Sequence, residues 1–158
     1  MRAAKFTIRN YRPAELGALY AIDQSCYSPA IAYSLAELQW YLQLPGAACL
    51  VASRGKVILG FILVSHNRGH GHIITIDVLA PHRRFGIGSA LLCKSERVLT
   101  LTGTREVWLE TATDNAAAIA FWRNHGYRTR GHLKNYYPGG LDALAMSKRL
   151  IGSAAQEN

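Results

Sequence analysis

Cysteine is scarce: Cys26, Cys49 and Cys93 are the only three in 158 residues. They are odd in number, far apart and form no Cys-x-x-Cys pair. That excludes a disulfide framework and offers no zinc site, so the thiols read as reduced and mostly buried rather than catalytic. No apolar run approaches the roughly 18 residues of a membrane helix. The start, Met1-Arg2-Ala3-Ala4-Lys5, leads toward a short strand and not into the apolar region of a signal peptide. The expectation is a cytoplasmic chain with no membrane partner. Repeats and linkers are also missing, so residues 1–150 are expected to form a single domain, with 151–158 as a frayed tail. Acidic residues are few, 10 Asp and Glu against 18 Lys and Arg, for a net charge of +8. Such a balance suits an anionic ligand, an acidic peptide or nucleic acid. The basic residues are scattered, however, and carry no RNA-binding signature, so no specific nucleic-acid partner is expected.

What is present centres on residues 72–92. The run from His72 to Val78 is apolar and β-branched, as in a buried strand. Pro81 stops it, and Arg83, Arg84, Phe85, Gly86, Ile87, Gly88 and Ser89 lead into a helical pattern. A helix start carries unpaired N–H groups and partial positive charge. Glycines 86 and 88 let a ligand approach the backbone, and the arginines add donors. The stretch therefore reads as a phosphate or pyrophosphate cradle. It is no Rossmann fingerprint, because position 91 is leucine and not glycine, and it lacks the Gly-Lys-Ser/Thr of a P-loop.

The remaining pattern places strands at Lys5–Arg9, 48–53, 57–65 and 106–111, and a final pair at 127–134 and 142–150. Helices are expected from Pro13, from Ser34 with Glu37 completing a capping box, over 86–101 with Ile87, Ala90, Leu91, Val98 and Leu101 facing inward, and from an Asp114 cap to His125. The helix over 86–101 crosses between two strands, so that pair should be parallel. Asp77, on the first of them, should point away from Val78 and reads as structural. His70 and His72 share a strand face but lack a third ligand, so no metal is expected.

Arg-x-x-Gly-x-Gly after a strand, together with the whole element order, resembles the GNAT N-acetyltransferases. The resemblance implies an α/β GNAT fold: a mixed, mostly antiparallel sheet with a central parallel strand pair flanked by helices. It implies acetyl-CoA as cosubstrate, with Val78 and Leu79 pairing with the pantetheine arm and residues Arg83 to Ser89 holding the pyrophosphate. Leu109-Glu110 through Asn115 resembles the Leu-Glu-x-x-x-x-Asn segment of RimI-type N-terminal acetyltransferases. By itself Glu110 reads as a strand-end carboxylate paired with an arginine, and Asn115 as a helix cap. The resemblance makes Glu110 a general base and Asn115 a pantetheine contact. Trp122 stands where that family has a tyrosine used as general acid. An indole cannot supply that proton, so Trp122 is expected to pack on the coenzyme. Lys134-Asn135-Tyr136-Tyr137 with Asp142-Ala143 resembles the C-terminal signature of protein N-terminal acetyltransferases. That implies peptide contact for Tyr136 and Tyr137, with Tyr137 counted also among the catalytic candidates.

The run from His72 to Gly88 resembles enzymes that modify methionine-starting chains, making His72 a second base candidate beside its plainer reading as a hydrogen-bonded strand histidine. Tyr27, Ile31 and Tyr33 are implied as one wall of the acceptor pocket. The favoured activity is acetyl transfer to a protein N-terminal α-amine, a ribosomal protein being the RimI-type precedent. The alternatives are a small-amine or lysine acetyltransferase, and a non-catalytic acyl-CoA- or RNA-binding module.

Overall fold

The computed structural model describes residues 5–150; the expected tail at 151–158 lies outside the described residues, as do residues 1–4. Strand β1 (Thr7–Asn10) is followed by a 3₁₀ turn at Pro13–Glu15 and helix α1 (Leu16–Cys26). Helix α2 (Leu35–Leu42) opens on the expected capping box: the Glu37 amide donates to Ser34 Oγ at 3.1 Å, and the Ser34 amide donates to Glu37 Oε2 at 2.8 Å. Strands β2 (Ala48–Arg54), β3 (Val57–Asn67) and β4 (His70–Val78) form an antiparallel meander, turning where Gly55, Arg68 and Gly69 take positive φ. Helix α3 (Ile87–Leu101), β5 (Glu106–Ala112), α4 (Ala116–Asn124), β6 (Arg128–Leu133) and β7 (Ala143–Arg149) complete the order. The sheet runs β1-β2-β3-β4-β5-β7-β6, and only β4 and β5 are parallel. This is the mixed sheet with a central parallel pair that the GNAT resemblance implies.

Each sheet face carries a core. Under α3 and α4 lie Ile62, Leu91, Leu92, Leu99, Leu109, Trp122 and Tyr127. Under α1 and α2 lie Leu19, Ile22, Leu38, Phe61 and Ile74. The inward stripe of α3 differs from the expected one. Ile87, Leu91, Leu92, Ser95 and Leu99 are buried, while Leu101 is 88% exposed. Two residues past Leu99 lie roughly 200° around the helix, so both cannot face the sheet. The cap of α4 also moves by one residue: Asn115, not Asp114, accepts the Ala118 amide at 3.1 Å. The thiols are free, but only Cys49 is buried and Cys93 is exposed.

Two irregularities set up the site. Strands β4 and β5 share only three rungs, His70–Glu106, Gly71–Val107 and His72–Trp108, and then part. A bulge at Ile74 shifts the β3–β4 register, since Leu63 faces Thr75 and Val64 faces Ile73. The extra residue reverses the alternation beyond it. Asp77 therefore lies on the α1 face with Ile74, where strict alternation from His72 would have turned it toward α3.

Candidate active site

The parting of β4 and β5 opens a cleft of about 780 Å³, lined by residues of α1, α2, β4, β5, α3, α4 and the loops between them. At its centre His72 Nε2 and Glu110 Oε2 are 2.7 Å apart, with side chains 39% and 26% exposed. Trp108 is level with His72, and Glu110 lies two residues further along β5, so both acid and imidazole project on one face. The carboxylate that by itself reads as an arginine partner pairs with histidine.

The α3 side of the cleft is mostly main chain. The Leu79 amide donates to Leu59 O (3.0 Å), and the Leu79 carbonyl accepts from the His82 amide (2.8 Å). Antiparallel alternation then turns the N–H and C=O of Val78 away from β3 and into the cleft. Leu79 is thus engaged within the protein and does not line the cleft, which corrects its expected role. The Val78 carbonyl accepts from Arg83 Nε at 2.8 Å and Cys26 Sγ at 3.5 Å. Arg84 and Gly86 take φ of 66° and 86°. These left-handed positions flanking Phe85 gather N–H groups into an anion-binding turn. Helix α3 follows with no side-chain cap, leaving its first-turn N–H groups for a ligand.

The two glycines serve different ends. A Cβ at Gly86 would meet nothing within 4 Å, so the positive φ is its reason. At Gly88 a Cβ would lie 3.4 Å from the Phe121 ring, so that glycine lets α4 come close. Phe85 is 45% exposed and does not line the cleft, against expectation. Arg83, Arg84, Gly86, Ile87, Gly88 and Ser89 do line it. The uncapped helix start, its left-handed turn and the two arginines fit a pyrophosphate. Asn115 lines the cleft too, but its amide oxygen caps α4, leaving its NH₂ for a ligand. Trp122 is 5% exposed, edge-on to Phe121 and Tyr127, and is a core residue that also reaches the cleft wall.

The opposite side is built of tyrosines. Tyr27 Oη donates to the Ile76 carbonyl at 2.8 Å, and Tyr33 Oη to the Ile74 carbonyl at 3.2 Å. Ile31 lines the cleft with them. Tyr41 of α2 packs edge-on against Tyr33 with centroids 5.3 Å apart. Tyr41 escaped the sequence reading. It was legible there, three residues after the buried Leu38 and so on the same helix face. Tyr136 and Tyr137 meet at 90° in the β6–β7 loop. Asp142 anchors that loop, accepting from the Asn135 amide (2.9 Å) and pairing with His132 Nε2 (2.7 Å). Burial raises the Tyr41, Tyr136 and Tyr137 hydroxyls, and the charge of Glu110 adds to it; Tyr137 is pushed up to about 12. All three therefore present protonated donors at neutral pH. Among the described residues no group of three or more His, Cys, Asp or Glu is placed to hold a metal ion, and no helix is long and apolar enough to cross a membrane.

Residues 16–127 match the acetyltransferase (GNAT) family. An uncharacterised N-acetyltransferase of Methanocaldococcus jannaschii is 32% identical over 143 residues, covering 90% of each chain. An N-alpha-acetyltransferase of Sulfurisphaera tokodaii is 27% identical over 162 residues, covering 94% of this chain and 96% of its own. Among solved structures, the ribosomal-protein-S18-alanine N-acetyltransferase of Escherichia coli superposes with a TM-score of 0.84 at 25% identity, covering 94% of this chain and 97% of its own. With that fold, that cradle and that acid–imidazole pair, the chain belongs to the acetyltransferase (GNAT) family and is an acetyl-CoA N-acetyltransferase.

Proposed function

We propose that the acceptor is the α-amine of a polypeptide N-terminus and that Glu110, held by His72, takes its proton. The observation that carries this reading is the 2.7 Å His72–Glu110 pair in a cleft whose side opposite α3 is built of tyrosines. Relatives named N-alpha-acetyltransferase support it. A free α-amine has a pKa near ~8, so a modest acceptor is enough to supply the neutral nucleophile. His72 donates Nε2–H to Glu110 Oε2, orients the carboxylate and shares the charge that arrives. Tyrosine hydroxyls suit a peptide backbone, because they bond to amides without demanding one side chain.

Acetyl-CoA supplies the thioester: the amine N–C bond forms, the C–S bond breaks, and the sulfur keeps the electron pair. Val78, with its main-chain groups turned into the cleft, is the strand position that pairs with the pantetheine arm. Arg83, Arg84 and the start of α3 hold the pyrophosphate. The amine proton passes to Glu110, directly or through one water, and no acyl-enzyme forms. Trp122 holds no transferable proton. Tyr137, pushed up to about 12, orients by hydrogen bonding and does not protonate the sulfur. A thiolate with a conjugate pKa near ~8.5 leaves without help.

The test is steady-state turnover of acetyl-CoA with three acceptor sets: peptides with a free N-terminus, the same peptides N-blocked but carrying internal lysines, and polyamines. Free N-termini should be the preferred acceptors. Turnover confined to lysine side chains or polyamines overturns the reading.

A further inference from the structure

Two carboxyls, Asp23 of α1 and Asp77 of β4, are completely buried where the acceptor wall meets the sheet, and neither has a place in the chemistry above. Asp23 Oδ2 accepts the Tyr33 amide at 2.7 Å, and Asp77 Oδ1 accepts the Thr75 hydroxyl. The other two oxygens, Asp23 Oδ1 and Asp77 Oδ2, are buried and receive no donor. An orphaned carboxylate oxygen in such a place is costly. Burial, and then the neighbouring Asp23 carboxyl, hold the Asp77 carboxyl well above the usual carboxylate range. Two neighbouring buried carboxyls, each with an unpartnered oxygen, are relieved when one proton lies between them.

We propose that Asp23 and Asp77 share one proton, and that this link positions the acceptor wall on β4. The inference rests on the acceptor reading above. Asp23 holds the main chain at Tyr33, whose hydroxyl reaches the Ile74 carbonyl, while Tyr27 reaches that of Ile76. The carboxyl pair is thus a further tie to the strand beside those of Cys26, Tyr27 and Tyr33, and it joins side chain to side chain where those reach main-chain carbonyls. The groups around it come from four elements: Thr75 on β4, Cys26 and Tyr27 at the end of α1, Tyr33 on the following loop and Cys49 on β2. Asp23, Thr75 and Tyr27 act on Asp77 most strongly besides burial, and none is a cation. A second negative charge there would meet no partner, so the shared proton is the arrangement that removes the repulsion. Asp23 and Asp77 are positioning residues: both are fully buried, and neither meets the reacting atoms.

The experiment uses the full chain and two substitutions. Asp77→Asn supplies an N–H donor in place of the shared proton, and Asp77→Ala removes the link. Infrared difference spectra at neutral pH should show the carbonyl stretch of one protonated carboxylic acid in the wild type and none in Asp77→Asn. Absence of that band in the wild type overturns the shared proton, whatever the enzyme turns over. In kinetics, Asp77→Ala should raise the acceptor KM about tenfold, the loss expected for one broken buried hydrogen bond. The acetyl-CoA KM should stay within about twofold, and Asp77→Asn should restore the acceptor KM. Equal rises in both KM values, or no restoration by asparagine, overturn the positioning role. A band present with no turnover of any α-amine would instead count against the acceptor class, leaving the proton in place.

Discussion

On the α3 side of the cleft a ligand meets main-chain groups: the turned-out amide and carbonyl of Val78, the left-handed turn at Arg84 and Gly86, the uncapped start of α3. On the α1–α2 side it meets hydroxyls and rings, those of Tyr33, Tyr41, Tyr136 and Tyr137. The first kind of surface is fixed by backbone conformation and tolerates exchange of many side chains. The second depends on which side chains are present and on how two loops are tied down. One half thus offers fixed main-chain donors, the other side-chain hydroxyls and rings. The His72–Glu110 pair stands on the seam between them.

The largest effect should come at that seam. Glu110→Gln keeps the shape of the side chain and removes its basicity, so kcat should fall by about 10²–10⁴-fold, as for loss of a general base. Both KM values should hold. A change confined to either KM would move Glu110 off the seam and into one half.

Next is the link under the acceptor wall. Unfolded, Asp77 loses its proton near pH ~4. Folded, burial and the neighbouring Asp23 hold the carboxyl well above the usual range. The folded state binds the extra proton, so wild-type stability should fall as pH rises from about 4 toward the folded-state pKa, by up to about 1.4 kcal/mol per pH unit. Asp77→Asn should lack that slope in denaturant titrations run across the same range. Parallel slopes in the two proteins would show Asp77 to be ionised.

Smaller effects separate the halves. Gly86→Val places a β-branched residue at φ 86°, a cost of about 1–2 kcal/mol. It should raise the acetyl-CoA KM roughly tenfold by reshaping the turn, with the acceptor KM unmoved. Tyr33→Phe removes one hydroxyl bond to Ile74 O, worth about 1 kcal/mol. It should raise only the acceptor KM, about fivefold. If either substitution moves the other substrate's KM equally, the two halves are coupled and the division fails.

The same contrast explains what the sequence made legible. Backbone features have local signatures: the Ser34–Glu37 box, the Gly-Ile-Gly helix start and the crossover that makes β4 and β5 parallel were all readable from neighbours in the chain. Contacts across the fold were not. Nothing local says that Leu79 spends both main-chain groups on Leu59 and His82 while Val78 spends neither on β3. Asp77 read as structural, yet the partner that makes it so lies 54 positions away and is reached only because the bulge at Ile74 turns the strand. Glu110 and His72 were each legible as candidates through family resemblance. Their bond follows from three rungs of register, which no local pattern encodes.

Those three rungs carry one more consequence. Strands β1 to β4 are laced to each other along their length, as are β5 to β7, and the two groups meet along this short stretch. The connection between α3 and β5 passes through Gly103, exposed and at φ 85°. A nick there yields two fragments, one bearing the phosphate cradle and His72, the other bearing Glu110 and the tyrosine loop. Each holds one antiparallel half of the sheet, and the core under α3 and α4 is shared between them, Leu91 and Leu92 from one side and Leu109, Trp122 and Tyr127 from the other. The active site is thus assembled across the short seam, with His72 and the phosphate cradle from one half and Glu110 and the tyrosine loop from the other.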